Sequence, residues 1–92
     1  MTKTIHKYEL TTIGQKSIIK IPSFSKLCDI KEQDGKICMW LMIDKNDKLI
    51  DQEYLIIGTG WDITDIKNKQ FLKTIHMSND LVWHVFWIID DE

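Results

Sequence analysis

The segment Gly58-Thr59-Gly60-Trp61 is the best candidate for a ligand site in this 92-residue sequence. Glycine lets backbone N–H groups approach an anion closely, and a tryptophan ring can stack on a planar base. The third glycine and the following helix of a dinucleotide-binding fingerprint are missing. A second interpretation stays open, in which the glycines supply positive φ angles to a turn at the end of a strand.

Two lysines and one histidine complete the predicted ligand-binding set. Lys7 and Lys73 would bind phosphate, and His84 would fix the orientation of a ligand, since a polar group within an apolar strand needs a partner. His6 and His76 also fall on predicted strands. Because no spacing typical of zinc ligands is present, we expect hydrogen-bonded histidines, no metal site and no cofactor.

Patterns typical of catalytic sites are absent from the sequence. It has no nucleophile elbow, no carboxylate pair of recognisable spacing and no Cys–His pair in a known arrangement. Asp44, Asp62 and Asp65 carry carboxylates that can act as acids or bases, but their positions beside turns favour turn and capping roles. We therefore expect that the protein is not an enzyme.

Length and charge narrow the class of protein further. We expect a single domain over residues 1–92. The net charge is −2 and all twelve basic residues are lysine, which argues against binding of a nucleic-acid polymer. Neither a secretion signal nor an apolar run of membrane-spanning length is visible. We expect a location in the bacterial cytoplasm without membrane contact, where Cys28 and Cys38 stay reduced.

The elements that must position these residues are strands. Apolar and β-branched runs separated by polar turns predict strands at residues 4–10, 17–21, 26–33, 36–44, 49–57, 70–77 and 81–89. Seven short strands at even spacing predict an all-β fold, an antiparallel β-sandwich or barrel, with hairpins joining the third to fifth strands and the last two. Residues 62–68 are compatible with one short helical turn.

Asp34-Gly35 is the clearest local signal, a two-residue type I′ turn between the third and fourth predicted strands. The register that follows sets Cys28 opposite Leu41. It also turns Cys28 and Cys38 to opposite faces of the hairpin, because side chains alternate with a period of two. We therefore expect no disulfide between them.

The last predicted strand, residues 81–89, is apolar on both faces. A chain this small has little material to cover both faces, so we expect a homo-oligomer. Its interface is predicted to include Trp83, Phe86 and Trp87. A two-residue turn at Asn79-Asp80 would set His76 opposite Trp83.

Several segments resemble one family of short, uncharacterised bacteriophage and prophage proteins. The matching segments lie in the same order along nearly the whole chain: residues 3–10 (KTIHKYEL), 19–22 (IKIP), 39–41 (MWL), 57–60 (IGTG) and 81–86 (LVWHVF). The sequence departs from the family at residues 51–53, where members often carry arginine. The resemblance implies a phage context and no particular reaction.

These observations lead to one functional hypothesis and two alternatives. The hypothesis is a counter-defence protein whose oligomer sequesters a small nucleotide signal of bacterial immunity at subunit boundaries, without catalysis. The alternatives are an inhibitor of a host defence enzyme and an accessory or structural phage protein. A pocket lined by Trp61 and lysines would favour ligand binding, and a flat exposed aromatic patch would favour inhibition.

Overall fold

The computed structural model describes residues 2–64 and 66–89. The described residues form seven strands: β1 Lys3–Leu10, β2 Ser17–Pro22, β3 Lys26–Gln33, β4 Lys36–Asp44, β5 Leu49–Gly58, β6 Lys69–His76 and β7 Val82–Ile88. Each predicted strand is present, with ends shifted by no more than one residue. Asp65, assigned above to a turn or cap, lies outside the described residues.

The strands form two antiparallel sheets that pack as a sandwich. One sheet has three strands in the order β1-β4-β3, and the other has four in the order β2-β5-β7-β6. The predicted all-β sandwich is confirmed, and the fold is not a closed barrel. The described residues contain no helix. Within residues 62–68, Asp62 accepts a hydrogen bond from the Thr64 N–H, and the Ile66 N–H closes a single turn on the Ile63 carbonyl.

The predicted type I′ turn is confirmed, because Asp34 and Gly35 have φ angles of 54° and 80°. The register holds near the turn but shifts at Cys28, which lies at a bulge. Leu41 is therefore opposite Leu27, and the predicted Cys28–Leu41 pair is wrong. Both cysteines are free, Cys28 exposed and Cys38 buried.

Two predicted hairpins have different outcomes. The β4–β5 hairpin is wrong: β4 pairs with β1 and β3, while residues 45–48 cross to the other sheet, where β5 pairs with β2 and β7. The β6–β7 hairpin is confirmed, but Ile75 and not His76 lies opposite Trp83. The turn is longer than predicted, since the Met77 N–H bonds to the Leu81 carbonyl.

The main core lies between the sheets and contains side chains from every strand. Ile30, Met39 and Leu41 from one sheet meet Ile56 and Val85 from the other. The outer face of the four-stranded sheet carries a second cluster of Leu55, Ile57 and Ile88, against which Ile63, Ile66 and Phe86 pack. Ile63 and Ile66, from the connection that follows β5, thus help to cover the outer face of this sheet.

Candidate functional site

The predicted 58–61 segment forms one wall of an apolar cleft where β5 ends and β7 begins. The cleft has a volume of about 480 Å³. It is lined by Gly58, Thr59, Trp61, Asp80, Leu81, Val82 and Trp83. The two halves meet because β5 and β7 are neighbours, with Gly58 opposite Trp83. We call this the aromatic cleft.

Trp61 is held from three sides and remains open on another. A Cβ atom added at Gly58 would lie 2.9 Å from the indole Cε2, so the ring rests directly on the glycine backbone. A Cβ at Gly14 would lie 3.5 Å from the same indole. The Trp83 ring meets Trp61 edge-on, with centroids 5.6 Å apart. Trp61 is nevertheless 48% exposed, so about half of its side-chain surface remains accessible although its position is fixed by these contacts.

The two glycines of the segment have different roles. Gly60 has a φ of +88°, which confirms the turn interpretation at that position. Gly58 is required for a close approach instead, because a side chain there would collide with Trp61. The Trp61 N–H closes the turn on the Gly58 carbonyl at 3.2 Å. The turn therefore serves to place Trp61 in the cleft.

His84 lies beside the aromatic cleft with both ring nitrogens paired. Its Nε2 is 2.7 Å from the Thr59 hydroxyl, and its Nδ1 is 2.9 Å from the Thr74 hydroxyl. The expected partners of this histidine are thus two threonines. Among the described residues, no group of three or more His, Cys, Asp or Glu side chains comes together as a metal site would require. His84 is connected to the cleft through Thr59, which is one of its lining residues.

A model of the domain of unknown function DUF7352 matches residues 1–91 of the chain. The protein belongs to the DUF7352 family. No curated protein and no solved structure matches the chain. Within the described residues, the DUF7352 fold contains no helix long and apolar enough to cross a membrane.

The two lysines predicted to bind phosphate do not line the aromatic cleft of this DUF7352 protein. Lys7 is on β1 of the three-stranded sheet and donates to Gln33 Oε1 at 2.6 Å. Lys73 is on β6 and forms an ion pair with Asp29 of the other sheet, and its hydrogen bond helps to hold the pKa of that carboxyl below its usual value. The structure thus brings Gly58, Trp61 and His84 together but not the lysines.

The three residues predicted at an interface pack within the DUF7352 domain itself. Trp83 and Trp87 are half-buried against the main core. Phe86 packs on the second cluster, and its ring meets that of Phe71 edge-on at 5.6 Å. Their apolar surfaces are therefore largely buried inside one chain, although Phe71 beside Phe86 is 54% exposed.

The second wall of the aromatic cleft consists of Asp80, Leu81 and Val82, none of which was predicted as a site residue from the sequence. Leu81 is 49% exposed, and it also lines an adjoining depression of about 310 Å³ together with Ile13 and Lys36. The sequence signal that could have indicated this wall is the polar turn before the apolar run of β7. Its proximity to Trp61 depends on the β5–β7 pairing, which no local pattern specifies.

The lining of the cleft determines what it can hold. Two indoles, Leu81 and Val82 provide apolar surface, while the Thr59 hydroxyl and the Asp80 carboxylate provide polar groups at the edge. No lysine lines this cleft, and Lys36 in the adjoining depression is the basic side chain at this end among the described lining residues. The arrangement suits a planar, mostly apolar group with N–H donors on its edge.

Proposed function

We propose that the protein is a non-catalytic binding protein that takes a small nucleotide, with the base in the aromatic cleft. One observation carries the proposal: a tryptophan packed against Gly58 and Trp83 keeps about half of its surface open in an apolar cleft of about 480 Å³. That volume lies in the range of small-molecule sites, roughly 300–1,000 Å³. A base would stack on Trp61, as bases do on aromatic platforms.

The polar groups at the edge of the cleft support a base over a purely apolar ligand. The Asp80 carboxylate can accept hydrogen bonds from the amino and ring N–H groups of a base. The Thr59 hydroxyl is oriented by His84, so its hydrogen-bonding direction is preset before a ligand arrives. Phosphates would extend toward the adjoining depression, where Lys36 carries the positive charge.

The proposal retains the biological context implied by the resemblance to phage and prophage proteins. In that context the protein acts in the bacterial cytoplasm as a counter-defence factor that sequesters a nucleotide immune signal. Ile13, Trp61 and Leu81 are 40–49% exposed and lie around the cleft, so a second copy placed there would cover them. A closed homo-oligomer with ligand sites at its boundaries is part of the proposal.

Thermal-shift measurements against cyclic di- and trinucleotides and ADP-ribose derivatives test this function. A ligand at a hundredfold excess over its Kd adds about 2.7 kcal/mol to the stability of the folded state, a clearly measurable shift. We expect one nucleotide class to give such a shift and Trp61→Ala to remove it. Light scattering on the same samples, with and without the nucleotide, reports the number of subunits.

Two variants separate loss of the site from loss of the fold. Leu81→Ser shortens an exposed side chain of the cleft without touching the Trp61 platform, and should weaken the nucleotide Kd severalfold. Phe24→Ala removes an exposed aromatic ring outside the cleft and should leave the Kd unchanged. Absence of any shift across the panel, or equal losses in the Leu81 and Phe24 variants, would count against nucleotide binding.

A second candidate function has one observation of its own. Phe24 is 82% exposed in the connection between β2 and β3, and Leu49 is 58% exposed where β5 begins. The Ser23 N–H bonds to the Lys48 carbonyl, so these two apolar residues lie at the same end of the sandwich. An exposed aromatic ring next to an exposed leucine supports the alternative of a protein inhibitor, and capture of one host enzyme that Phe24→Ala abolishes would test it.

A further inference from the structure

The outer face of the three-stranded sheet carries lysines on both sides of a tryptophan. On β4, Met39 and Leu41 point into the core. Because side chains alternate along a strand, Trp40 and Met42 face outward. The register brings four lysines to the same outer face. These residues form what we call the lysine face: Lys3 and Lys7 on β1, Lys26 and Lys31 on β3, with Trp40 and Met42 between them.

The lysine face carries fewer carboxylates than lysines. Asp29 lies opposite Trp40 and interacts with Lys31, and its charge is also paired with Lys73 of the other sheet. Asp44 is buried and accepts a hydrogen bond from the Asn46 N–H. Glu9 is the remaining outward carboxylate on the described strands of this sheet. The face is therefore cationic, although the chain as a whole has a net charge of −2.

The centre of the lysine face is apolar and accessible. Met42 is 38% exposed, and Ile5, directly opposite it on β1, is 54% exposed. Trp40 is half-buried opposite Lys7. The Lys7 ammonium donates to Gln33 Oε1 on β3, so this side chain crosses the outer face of β4. Proteins that bind single-stranded nucleic acid combine an aromatic ring, on which a base stacks, with flanking cations that contact the phosphates.

We propose that the lysine face binds single-stranded nucleic acid, with bases on Trp40 and Met42 and phosphates on the lysines of β1 and β3. The two lysine rows are two strand spacings apart, about 10 Å, and flank the apolar row on both sides. The nine residues of β4 span about 30 Å, enough for roughly five nucleotides. A second copy of this chain would bring lysines against lysines, which disfavours self-association through this face.

This site is separate from the aromatic cleft and does not depend on it. The cleft is formed by β5, β7 and their turns, and the lysine face by β1, β3 and β4. The proposal goes against the expectation drawn from net charge, which averages over all surfaces. An average near zero is compatible with a local cationic face when acids and lysines are segregated.

Fluorescence anisotropy with labelled 12-nucleotide oligo-dT and oligo-U tests the proposal. We expect saturable binding at 50 mM salt that weakens as salt rises. Four phosphate contacts on a single strand give a slope of log K against log salt of about −3. The double variant Lys26→Gln/Lys31→Gln should bind more weakly and reduce the magnitude of the slope by about 1.4. Trp40→Leu should weaken binding about tenfold and leave the slope unchanged.

Matched controls make each outcome decisive. Lys16→Gln/Lys67→Gln makes the same charge change at the outer face of the four-stranded sheet and should leave binding unchanged. If Trp40→Leu does not fold, Met42→Glu places a negative charge on the same face and should abolish binding. No binding at 50 mM salt, or equal loss in the two lysine pairs, would overturn the proposal. Tighter binding of polyglutamate than of either oligonucleotide would also overturn it and assign the face to an acidic protein.

Discussion

Trp61 and Gly58 act as one unit at the residue scale. The indole rests where a Cβ on residue 58 would be, and it also touches Trp83 at its edge. A ring held in this way keeps its position without being buried, which suits a stacking surface that must be ready before a ligand arrives. The same geometry makes the unit sensitive to a single added methyl group.

Gly58→Ala should lower stability and disturb the cleft together. The added Cβ would lie 2.9 Å from Trp61 Cε2, so the ring must move, and overpacking of this kind costs about 1–3 kcal/mol. Urea unfolding of Gly58→Ala in the wild-type and Trp61→Ala backgrounds measures the coupling. We expect most of the cost to disappear when Trp61 is absent. An equal cost in both backgrounds would show that Gly58 is needed for another reason.

Phe24 has a backbone conformation that is unfavourable for a residue with a Cβ atom. It has a φ of 62° although it is bulky and 82% exposed. The left-handed region destabilises a residue with a Cβ atom by about 1–2 kcal/mol, whereas glycine, which has no Cβ, adopts it without this strain. The exposed ring contributes little burial in return.

Phe24→Gly should therefore raise the free energy of unfolding by about 1 kcal/mol, after part of the gain is offset by the greater freedom of glycine in the unfolded chain. Phe24→Ala is the matched control, since it removes the ring but keeps the Cβ and its strain. Chemical denaturation of the three proteins gives the comparison. A glycine variant no more stable than the alanine variant would refute the strain argument.

At the scale of elements, the edge strands β3 and β6 connect the two sheets through carboxylates. Asp29 of β3 is paired with Lys73 of β6, and its carboxylate also accepts from the Ile30 N–H. Glu32 of β3 accepts from both the N–H and the hydroxyl of Ser78, at 2.6 and 2.7 Å. These hydrogen bonds favour the charged carboxylates and lower the pKa of both Asp29 and Glu32.

Acid should loosen this connection between the sheets. A carboxyl whose pKa is lower in the folded than in the unfolded state stabilises the fold above its ordinary pKa near 4, and this contribution disappears as pH falls through the folded pKa. We expect Glu32→Gln to reduce the loss in urea midpoint between pH 6 and pH 3. Glu9 is an exposed carboxylate with no hydrogen bond or ion pair to another described residue, so Glu9→Gln should leave that loss unchanged. Identical pH profiles for wild type and Glu32→Gln would contradict the assignment.

At the scale of the whole molecule, the two sheets present different surfaces. The three-stranded sheet has an outer face with four lysines around Trp40. The four-stranded sheet has an outer face partly covered by Ile63 and Ile66. The aromatic cleft opens at one end of the sandwich, beside the start of β7. The two proposed ligands would therefore contact different elements of the sandwich.

The sequence by itself determined the local features of this protein. The seven strands, the type I′ turn at Asp34-Gly35 and the apolar character of both faces of β7 follow from short-range rules of propensity, turn geometry and periodicity. The Gly58–Trp61 segment was also recognisable, because glycines beside a tryptophan are locally unusual.

Only the tertiary structure decided which distant segments meet. A polar turn after β4 is compatible with a hairpin or with a crossover, and the crossover occurs because β1 occupies the free edge of β4. Leu81 faces Trp61 across the cleft because β5 and β7 pair, and the lysines of β1 and β3 share a face because both flank β4. Such pairings depend on the packing of the whole chain, about which a short sequence window contains no information.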